Sequence, residues 1–330
     1  MSSDGPSLAG ASDPARPMVR AVETDDLDEI RQAFVRWDQR LEQLEGGPFR
    51  GGLRLVDLGG VQLLAVRSAR VVRARGARPD GSCVFSTVTD RNAGSSWRGR
   101  TLGTGMVNVI APDSEMDHRT CSNYQNVSIV VQIGLLEWTA AALIGVGLDR
   151  ILCGDRALAI GSRDADELSQ RLHTTLLALS TPPDGKGTEA KPLVNPDDLV
   201  VLLLDTLTAG RVVDPFRTTT GQRLAAVRKV EEYVRAFPDR RPGVLELCKL
   251  AGVSKRTLHY AFLEATGCTP KDFIKAIKLN AARRALRTIG PGAGHVEQVA
   301  RRYGFHRPGN FASDFRRLFG ELPSEFIRKP

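Results

Sequence analysis

The sequence predicts an α+β protein of two domains: an antiparallel β domain with added helices, then an all-α domain with two helix-turn-helix units. Short β-branched segments separated by Gly, Pro, Asp and Asn clusters fill residues 51–135, and apolar residues recur at helical spacing after residue 222. Residues 1–210 carry 22 Lys and Arg against 27 Asp and Glu, a net −5, whereas residues 211–330 carry 24 against 11, a net +13. Such a basic region indicates a nucleic-acid partner or, alternatively, a solvated charged face.

The N-terminal region is predicted to contain a disordered leader and one helix. The leader, residues 1–22, begins with MSSDGPSLAGASDPARP, which is rich in small and turn-forming residues and lacks the apolar segment of a secretory signal. Residues 25–44 carry Phe34, Trp37 and Leu41 at helical spacing and end before a Gly-Gly-Pro turn. This pattern predicts an amphipathic helix.

The first domain, residues 23–210, is predicted to be a β sandwich or an open barrel that ends in helices. Strands are predicted at 53–58, 61–75, 84–89, 106–111 and 127–133, and helices at 163–180 and 196–209. These two helices are candidates for subunit contact, and packing on their own domain is an equal alternative. Pro and Gly residues predict a loop at 181–192 and a linker between the domains at 211–221.

Catalytic and metal-binding motifs are missing from the sequence. The five cysteines, at 83, 121, 153, 248 and 268, are odd in number and form no CxxC pair, which excludes a disulfide framework and a zinc site. The β region holds one histidine, His118, beside Glu115 and Asp117, whereas a metal site needs several converging ligands. The sequence therefore predicts no enzyme, no metal and no cofactor, and its apolar runs are too short for a membrane helix.

The basic region repeats itself. A spaced pattern of Phe, Gly, Pro, Phe and Ile recurs 53 positions later: Phe262, Gly267, Pro270, Phe273 and Ile274 correspond to Phe315, Gly320, Pro323, Phe326 and Ile327. Upstream, the pair Cys248 and Gly252 corresponds to Ala300 and Gly304. The α domain, residues 222–330, is therefore built from two copies of one unit.

Each copy has the pattern of a helix-turn-helix unit. In the first, about 244–266, an apolar helix ends at Gly252, which suits a tight turn, and Ser254 caps a second helix. The second unit covers about 296–319. Between the units, a Thr-Pro-Lys-Asp start predicts a connecting helix from 270 to about 288, which would span roughly 28 Å. Such a rod could hold two recognition helices in successive segments of the major groove, ~34 Å apart.

These segments resemble a known family. The phrases GVSKRTLHYAF, TGCTPKDFIKAIKLNAARRAL and YGFHRPGNFASDFRRLFGELPSEF resemble AraC/XylS-type transcriptional regulators over residues 222–329. FRRLFGELPSEF, GGPFRGGL and PDSEMDHRT resemble, more narrowly, the subgroup of ethanolamine-utilisation regulators. The resemblance implies an activator that binds double-stranded DNA, and the lack of a secretory signal and of a membrane helix predicts a cytoplasmic protein. The resemblance also implies a cupin-like or jelly-roll-like sensor domain for a small-molecule effector, a possible homodimer and contact with RNA polymerase.

The candidate DNA-binding residues lie in the two predicted recognition helices. By resemblance, the base-contacting positions of the first helix fall on Arg256, His259 and Tyr260, where Arg256 can pair with guanine. In the second helix Pro308, Gly309 and Ala312 leave few side chains to read bases, so its polar residues are expected to contact phosphates. The complete candidate set is Lys255, Arg256, Thr257, His259, Tyr260, Arg307, Asn310, Ser313 and Arg316.

Candidate effector-binding residues in the first domain are Trp97, Glu115, Asp117 and His118. Their alternative role is as polar residues on the rim of the domain, because no motif fixes them in a site. An alternative for the whole protein is a ligand-independent DNA-binding regulator whose first domain only oligomerises.

Overall fold

The computed structural model describes residues 17–112, 114–143, 156–180, 195–208, 210–213 and 218–328. Its strands are β1 (Met18–Thr24), β2 (Asp38–Gln43), β3 (Gly51–Asp57), β4 (Val61–Ser68), β5 (Val72–Ala77), β6 (Ser82–Val88), β7 (Ser96–Trp97), β8 (Arg100–Thr101), β9 (Met106–Ile110), β10 (Met116–Arg119), β11 (Tyr124–Gln132), β12 (Arg156–Ala159) and β13 (Arg211–Val213). Its helices are α1 (Leu27–Ala33), α2 (Ile133–Leu143), α3 (Ser162–Ser180), α4 (Pro196–Thr208), α5 (Thr218–Ala236), α6 (Val244–Ala251), α7 (Lys255–Thr266), α8 (Pro270–Ile289), α9 (His295–Arg302), α10 (Pro308–Phe319) and α11 (Pro323–Phe326).

The first domain is a sandwich of two antiparallel sheets, which confirms the predicted fold class. Among the described strands, one sheet has the order β1-β3-β4-β11-β6-β9-β12-β13 and the other has the order β2-β5-β10-β7-β8. Alternate residues of each strand point to opposite faces, so one face of β4 presents Leu64 and Val66 to the space between the sheets and the other presents Leu63 outward. The two sheets thus enclose a common interior.

Helices cover the outer face of the larger sheet. Helices α3 and α4 begin and end within one residue of their predicted bounds, and α3 buries Leu168, Leu172 and Leu176 along one stripe. These leucines pack against β-strand residues such as Ile129 and Val131 in the same core. Helix α2, which was not predicted, adds Leu136 to this layer. The described parts of both predicted helices therefore pack on their own domain.

The predicted helix at 25–44 is wrong. Helix α1 ends at Ala33, Arg36 adopts a left-handed backbone with φ of 65°, and residues from Asp38 onward form β2. Strand β2 pairs along its whole length with β5. Its polar residues fit a strand because Gln39 and Gln43 are buried on one face and Glu42 on the other is buried in its pair with Arg235 of the α domain, whereas Asp38 and Arg40 are exposed.

Other boundaries also differ from the sequence expectations. The predicted strand at 61–75 is two strands, β4 and β5, separated by a turn at 69–71. The predicted leader from residue 18 onward belongs to β1, which pairs with β3, while residues 1–16 and the loop at 181–192 lie outside the described residues. The predicted linker contains β13 and the beginning of α5.

The α domain has two hydrophobic cores that share helix α8. Phe273 and Ile277 of α8 pack with α5, α6 and α7, whereas Leu279, Ala282 and Leu286 pack with α9, α10 and α11. At 20 residues, α8 is about 30 Å long, as predicted. Within the described ranges, no helix is long and apolar enough to cross a membrane.

Candidate nucleic-acid interface and ligand cavity

The first helix-turn-helix unit is formed by α6 and α7. Gly252 has a left-handed backbone with φ of 71°, and its N–H donates to the Cys248 carbonyl at 2.9 Å, which closes the turn. The Ser254 hydroxyl accepts a hydrogen bond from the Thr257 N–H at 3.2 Å and caps α7. Helices α6 and α7, the Gly252 turn and the Ser254 cap lie within residues 244–266.

Helix α7 exposes four of its five candidate side chains and buries one of its faces. Leu258 and Phe262 are fully buried. The candidate residues Lys255, Arg256, His259 and Tyr260 are exposed, and Thr257 is half-buried. The Arg256 guanidinium lies 5.6 Å from the centre of the Tyr260 ring, a cation–π contact that orients it on the helix surface. This surface can present cationic and aromatic groups to a major groove.

The second unit is formed by α9 and α10. Helix α10 begins at Pro308 after Arg307, which makes no side-chain cap bond, and it buries Phe311 and Phe315. The remaining candidates Arg307, Asn310, Ser313 and Arg316 are all exposed. Asp314 of the same helix pairs with Lys275 of α8 at 3.1 Å, which ties the second recognition helix to the rod.

A cavity of about 110 Å³ lies between the two sheets. Two of the effector candidates, Trp97 and His118, line it, together with largely apolar side chains from both sheets. Burial lowers the pKa of His118 to about 4, so the ring is neutral at pH 7. The ring lies 5.5 Å from that of Tyr124, another cavity residue, whose pKa burial raises. The cavity wall is therefore uncharged at this point.

The other two effector candidates, Glu115 and Asp117, point away from this cavity toward the α domain. Asp117 accepts two hydrogen bonds from Arg73, at 2.9 and 3.0 Å, and Glu115 pairs with Arg75 at 2.8 Å. Glu115 also pairs with Arg228 of α5 at 3.1 Å. These acids thus belong to the contact between the domains.

Arg73 is the centre of a buried ion-pair network between the domains. Its Nη1 atom donates to Glu231 of α5 at 2.9 Å, and its side chain is 1% exposed. The guanidinium also lies 5.2 Å from the centre of the Phe273 ring in α8. Glu231 in turn accepts hydrogen bonds from Arg75 at 3.0 Å and from Arg235 at 2.7 Å. We call Arg73, Arg75, Asp117, Glu231 and Arg235 the interdomain network.

The network and its neighbours make Glu231 strongly acidic. Burial opposes ionisation of this carboxyl, but the charges of Arg73, Arg235 and Arg75 outweigh burial and lower its pKa to about 2. Glu231 and the network arginines are not among the residues predicted from the sequence. The available signal was the run of alternating charges at 72–77 and 38–43, where charged residues occupy one face of each strand and uncharged residues the other.

Helix α8 also holds the edge of the smaller sheet. The Asn280 side chain accepts from the Gln43 N–H at 3.1 Å and donates to the Gln43 carbonyl at 2.9 Å. Gln43 in turn donates to the Leu318 carbonyl at 2.7 Å. Nearby, Arg283 donates to Asp26 at 2.9 Å. The rod between the two helix-turn-helix units is therefore fixed directly to the first domain.

The fold and these exposed helices define a two-domain protein with a DNA-binding module. Residues 247–329 match a family profile described as "Helix-turn-helix domain". This stretch is an AraC-type domain, homologous to those of XylS/AraC-family transcriptional regulators. The curated relatives named below are transcription regulators.

Curated relatives and solved structures match over limited lengths. The XylDLEGF operon transcriptional activator of Pseudomonas putida is 33% identical over 101 residues, 31% of this chain and 32% of that protein. The regulator GlxA of Rhizobium meliloti is 31% identical over 120 residues, 36% and 35% of the two chains. The structure of a probable AraC family transcriptional regulator from Rhodopseudomonas palustris is 37% identical and covers 32% of this chain and 98% of that one, with a TM-score of 0.28. The chain thus spans about a third of the length of these curated relatives.

Proposed function

We propose that the chain is a sequence-specific DNA-binding transcriptional regulator, controlled by a small molecule in the cavity of its first domain. One observation carries the proposal: a single layer of strands, β2, β5 and β10, separates the cavity from the α domain. Val72, Ala74 and His118 face the cavity from these strands, while Arg73 and Asp117, their neighbours in sequence, face the α domain. A ligand that moves these strands acts directly on the interdomain network.

DNA contact is assigned to the exposed residues of α7 and α10. Arg256, His259 and Tyr260 are the base-reading candidates, and Lys255 and Thr257 stand beside them at the helix start. In α10, where Pro308 and Gly309 carry no polar side chain, phosphate contact is assigned to Arg307, Asn310, Ser313 and Arg316. The net charge of +13 over residues 211–330 supports both assignments.

Several features of the proposed regulator rest on resemblance. These are membership of the ethanolamine-utilisation-regulator-like subgroup, activation in place of repression, contact with RNA polymerase, and a homodimer. A cytoplasmic location follows from the proposed partner, double-stranded DNA. The division into two domains, predicted at 23–210 and 222–330, is likewise a proposal; the separate cores support it, and strands β1 and β13 extend the first domain to residues 18–213.

Selection of bound duplexes from random DNA by the full-length chain, at two salt concentrations, tests DNA recognition. We expect one defined motif at both concentrations and weaker total binding at the higher one, because phosphate contacts release counterions. Salt-sensitive binding without an enriched motif contradicts the proposal, because it indicates that both helix-turn-helix units only contact phosphates.

The alternative, a ligand-independent regulator, differs in the behaviour of the first domain. An effector in the cavity should slow hydrogen exchange in β5, β10 and β11, which line it. Screening small molecules by hydrogen exchange on the full-length chain separates the two: protection of these strands supports effector control. A first domain that only oligomerises should show protection from hydrogen exchange at a surface as the protein concentration rises. It should show no protection that depends on a ligand.

A further inference from the structure

The size of the cavity limits what it can hold. At about 110 Å³, it is somewhat smaller than the ~150 Å³ apolar cavity that holds benzene in an engineered protein interior. An occupant is therefore restricted to a single ring or an equally compact skeleton. The space exists because Ala74 lies between Leu41 and His118 in one row of the smaller sheet. The small methyl group of Ala74 leaves space between the side chains of Leu41 and His118.

The cavity lining excludes a charged occupant. Among the described lining residues, none is acidic and none is a lysine, and the single arginine, Arg67, is exposed and paired with Glu23 through two contacts, one of 3.0 Å. His118 is neutral at pH 7. A carboxylate or an ammonium group brought into this interior loses its hydration, and the one cation of the described lining, Arg67, is exposed to solvent and already paired with Glu23, so burial of the charge is strongly unfavourable.

One polar group in the cavity wall is left without a partner. Asn92, Asn126 and Ser128 satisfy one another in a hydrogen-bonded chain, with bonds of 2.9 and 2.7 Å. In contrast, the side-chain nitrogen of Gln39 is buried and has no hydrogen-bond partner among the described residues. Gln39 is 6% exposed and lies on the cavity face of β2. Buried amide donors are nearly always satisfied, so this one calls for an acceptor.

We propose that the cavity binds an uncharged, single-ring molecule that carries one hydrogen-bond acceptor, received by the Gln39 amide. The proposal rests on the effector function given above and names the chemical class of that effector. Apolar side chains contact the ring, and the amide selects its acceptor atom. An anion of the same shape is rejected because the described lining holds no unpaired cation. A hydrocarbon ring without an acceptor binds more weakly because it leaves the Gln39 amide unpaired.

The test compares three ring compounds that differ in one property each. Benzamide is neutral and has a carbonyl acceptor, benzoate has nearly the same shape and a negative charge, and toluene has no acceptor. Isothermal titration calorimetry with the full-length protein at pH 7 should show benzamide binding at least ~100-fold more tightly than benzoate and about 2- to 10-fold more tightly than toluene. Benzoate binding as tightly as benzamide, or no binding of any of the three, overturns the proposal.

Two variants place the binding in this cavity. Gln39→Leu should weaken benzamide about 2- to 10-fold and leave toluene unchanged or tighter, whereas Gln170→Leu, an exposed change on α3, should alter neither. Ala74→Leu fills the cavity and should abolish binding of both compounds in a chain whose circular dichroism is unchanged. Unchanged binding in both Gln39→Leu and Ala74→Leu places the compounds elsewhere and overturns the assignment.

The same protein preparation separates this inference from the proposed function. If a DNA motif is enriched but none of the ring compounds binds, the proposed chemical class of the effector is refuted and the DNA-binding function stands. Ring binding with the predicted preference but without selective DNA binding supports the cavity assignment and removes the regulator function. Both measurements are made on the full chain, so neither outcome depends on isolating a domain.

Discussion

Replacement of Glu231 by glutamine tests whether the interdomain network holds the two domains together. One carboxylate oxygen of Glu231 accepts from Arg73 and Arg75, and the other accepts from Arg235. Glutamine keeps the shape of the side chain but removes its negative charge and turns one acceptor oxygen into a donor. That donor then faces a guanidinium group, while Arg73 remains buried with Asp117 as its remaining acid.

The structure gives the expected magnitude. The arginines lower the pKa of Glu231 from 4.5 to about 2 despite its burial, which corresponds to about 3 kcal/mol at ~1.4 kcal/mol per pKa unit. Because the folded-state pKa is the lower one, this stabilisation is fully present above about pH 4.5. It is lost as the pH falls toward 2. Glu231→Gln should therefore lower the free energy of unfolding at pH 7 by about 3 kcal/mol and abolish this part of the acid sensitivity.

Urea unfolding of the full-length chain measures the effect with two probes. All three tryptophans, Trp37, Trp97 and Trp138, lie in the first domain, so their fluorescence reports its unfolding, while far-UV circular dichroism also reports the helices of the α domain. The two transitions should coincide in the unsubstituted chain and separate in Glu231→Gln. Glu232→Gln, an exposed neighbour, is the matched control and should change little. A Glu231→Gln chain with an unchanged midpoint and coincident transitions refutes the role of the network.

Four further outcomes are expected. Arg256→Ala should cost ~1–3 kcal/mol on the selected site and relax preference at one base pair, as measured by fluorescence anisotropy; equal losses on random DNA contradict base reading. Lys255→Ala should weaken binding to all sequences and reduce the salt slope by about one unit, whereas Arg171→Ala on α3 should leave the slope unchanged. His118, whose folded-state pKa is about 4, costs stability as the pH falls from about 6.5 to 4, so His118→Leu should flatten the urea midpoint across that range. Phe315→Ala removes a fully buried ring that contacts three others and should cost about 3–5 kcal/mol of unfolding free energy, measured by circular dichroism.

The α domain could be predicted from the sequence because its signals are local. Gly252 adopts the positive φ that the turn requires, and Ser254 and Thr269 cap their helices through backbone N–H groups three residues ahead. Each of these hydrogen bonds joins two residues that lie within about one helical turn of each other. The repeat adds a second, independent copy of the same signals.

The contact between the domains could not be predicted, because charged residues there are buried in pairs. Glu42 and Asp117 are each 4% exposed at the side chain, yet in sequence they resemble solvent-facing residues. For the same reason β2, charged on one face, was predicted as part of a helix through Phe34, Trp37 and Leu41. The partners of these acids lie more than 40 positions away, beyond the range of any periodicity.

The side-chain amide of Asn280 makes the hydrogen bonds that a neighbouring strand would make to strand β2. Strand β2 is the edge of its sheet among the described strands, and the Asn280 side chain supplies to Gln43 the donor and acceptor that a neighbouring backbone would otherwise provide. Bare edges are templates for intermolecular pairing and aggregation. Helix α8 therefore also covers the Gln43 end of this edge, so any separation of the domains uncovers it. Separation of the domains is therefore expected to promote aggregation of the chain through this edge.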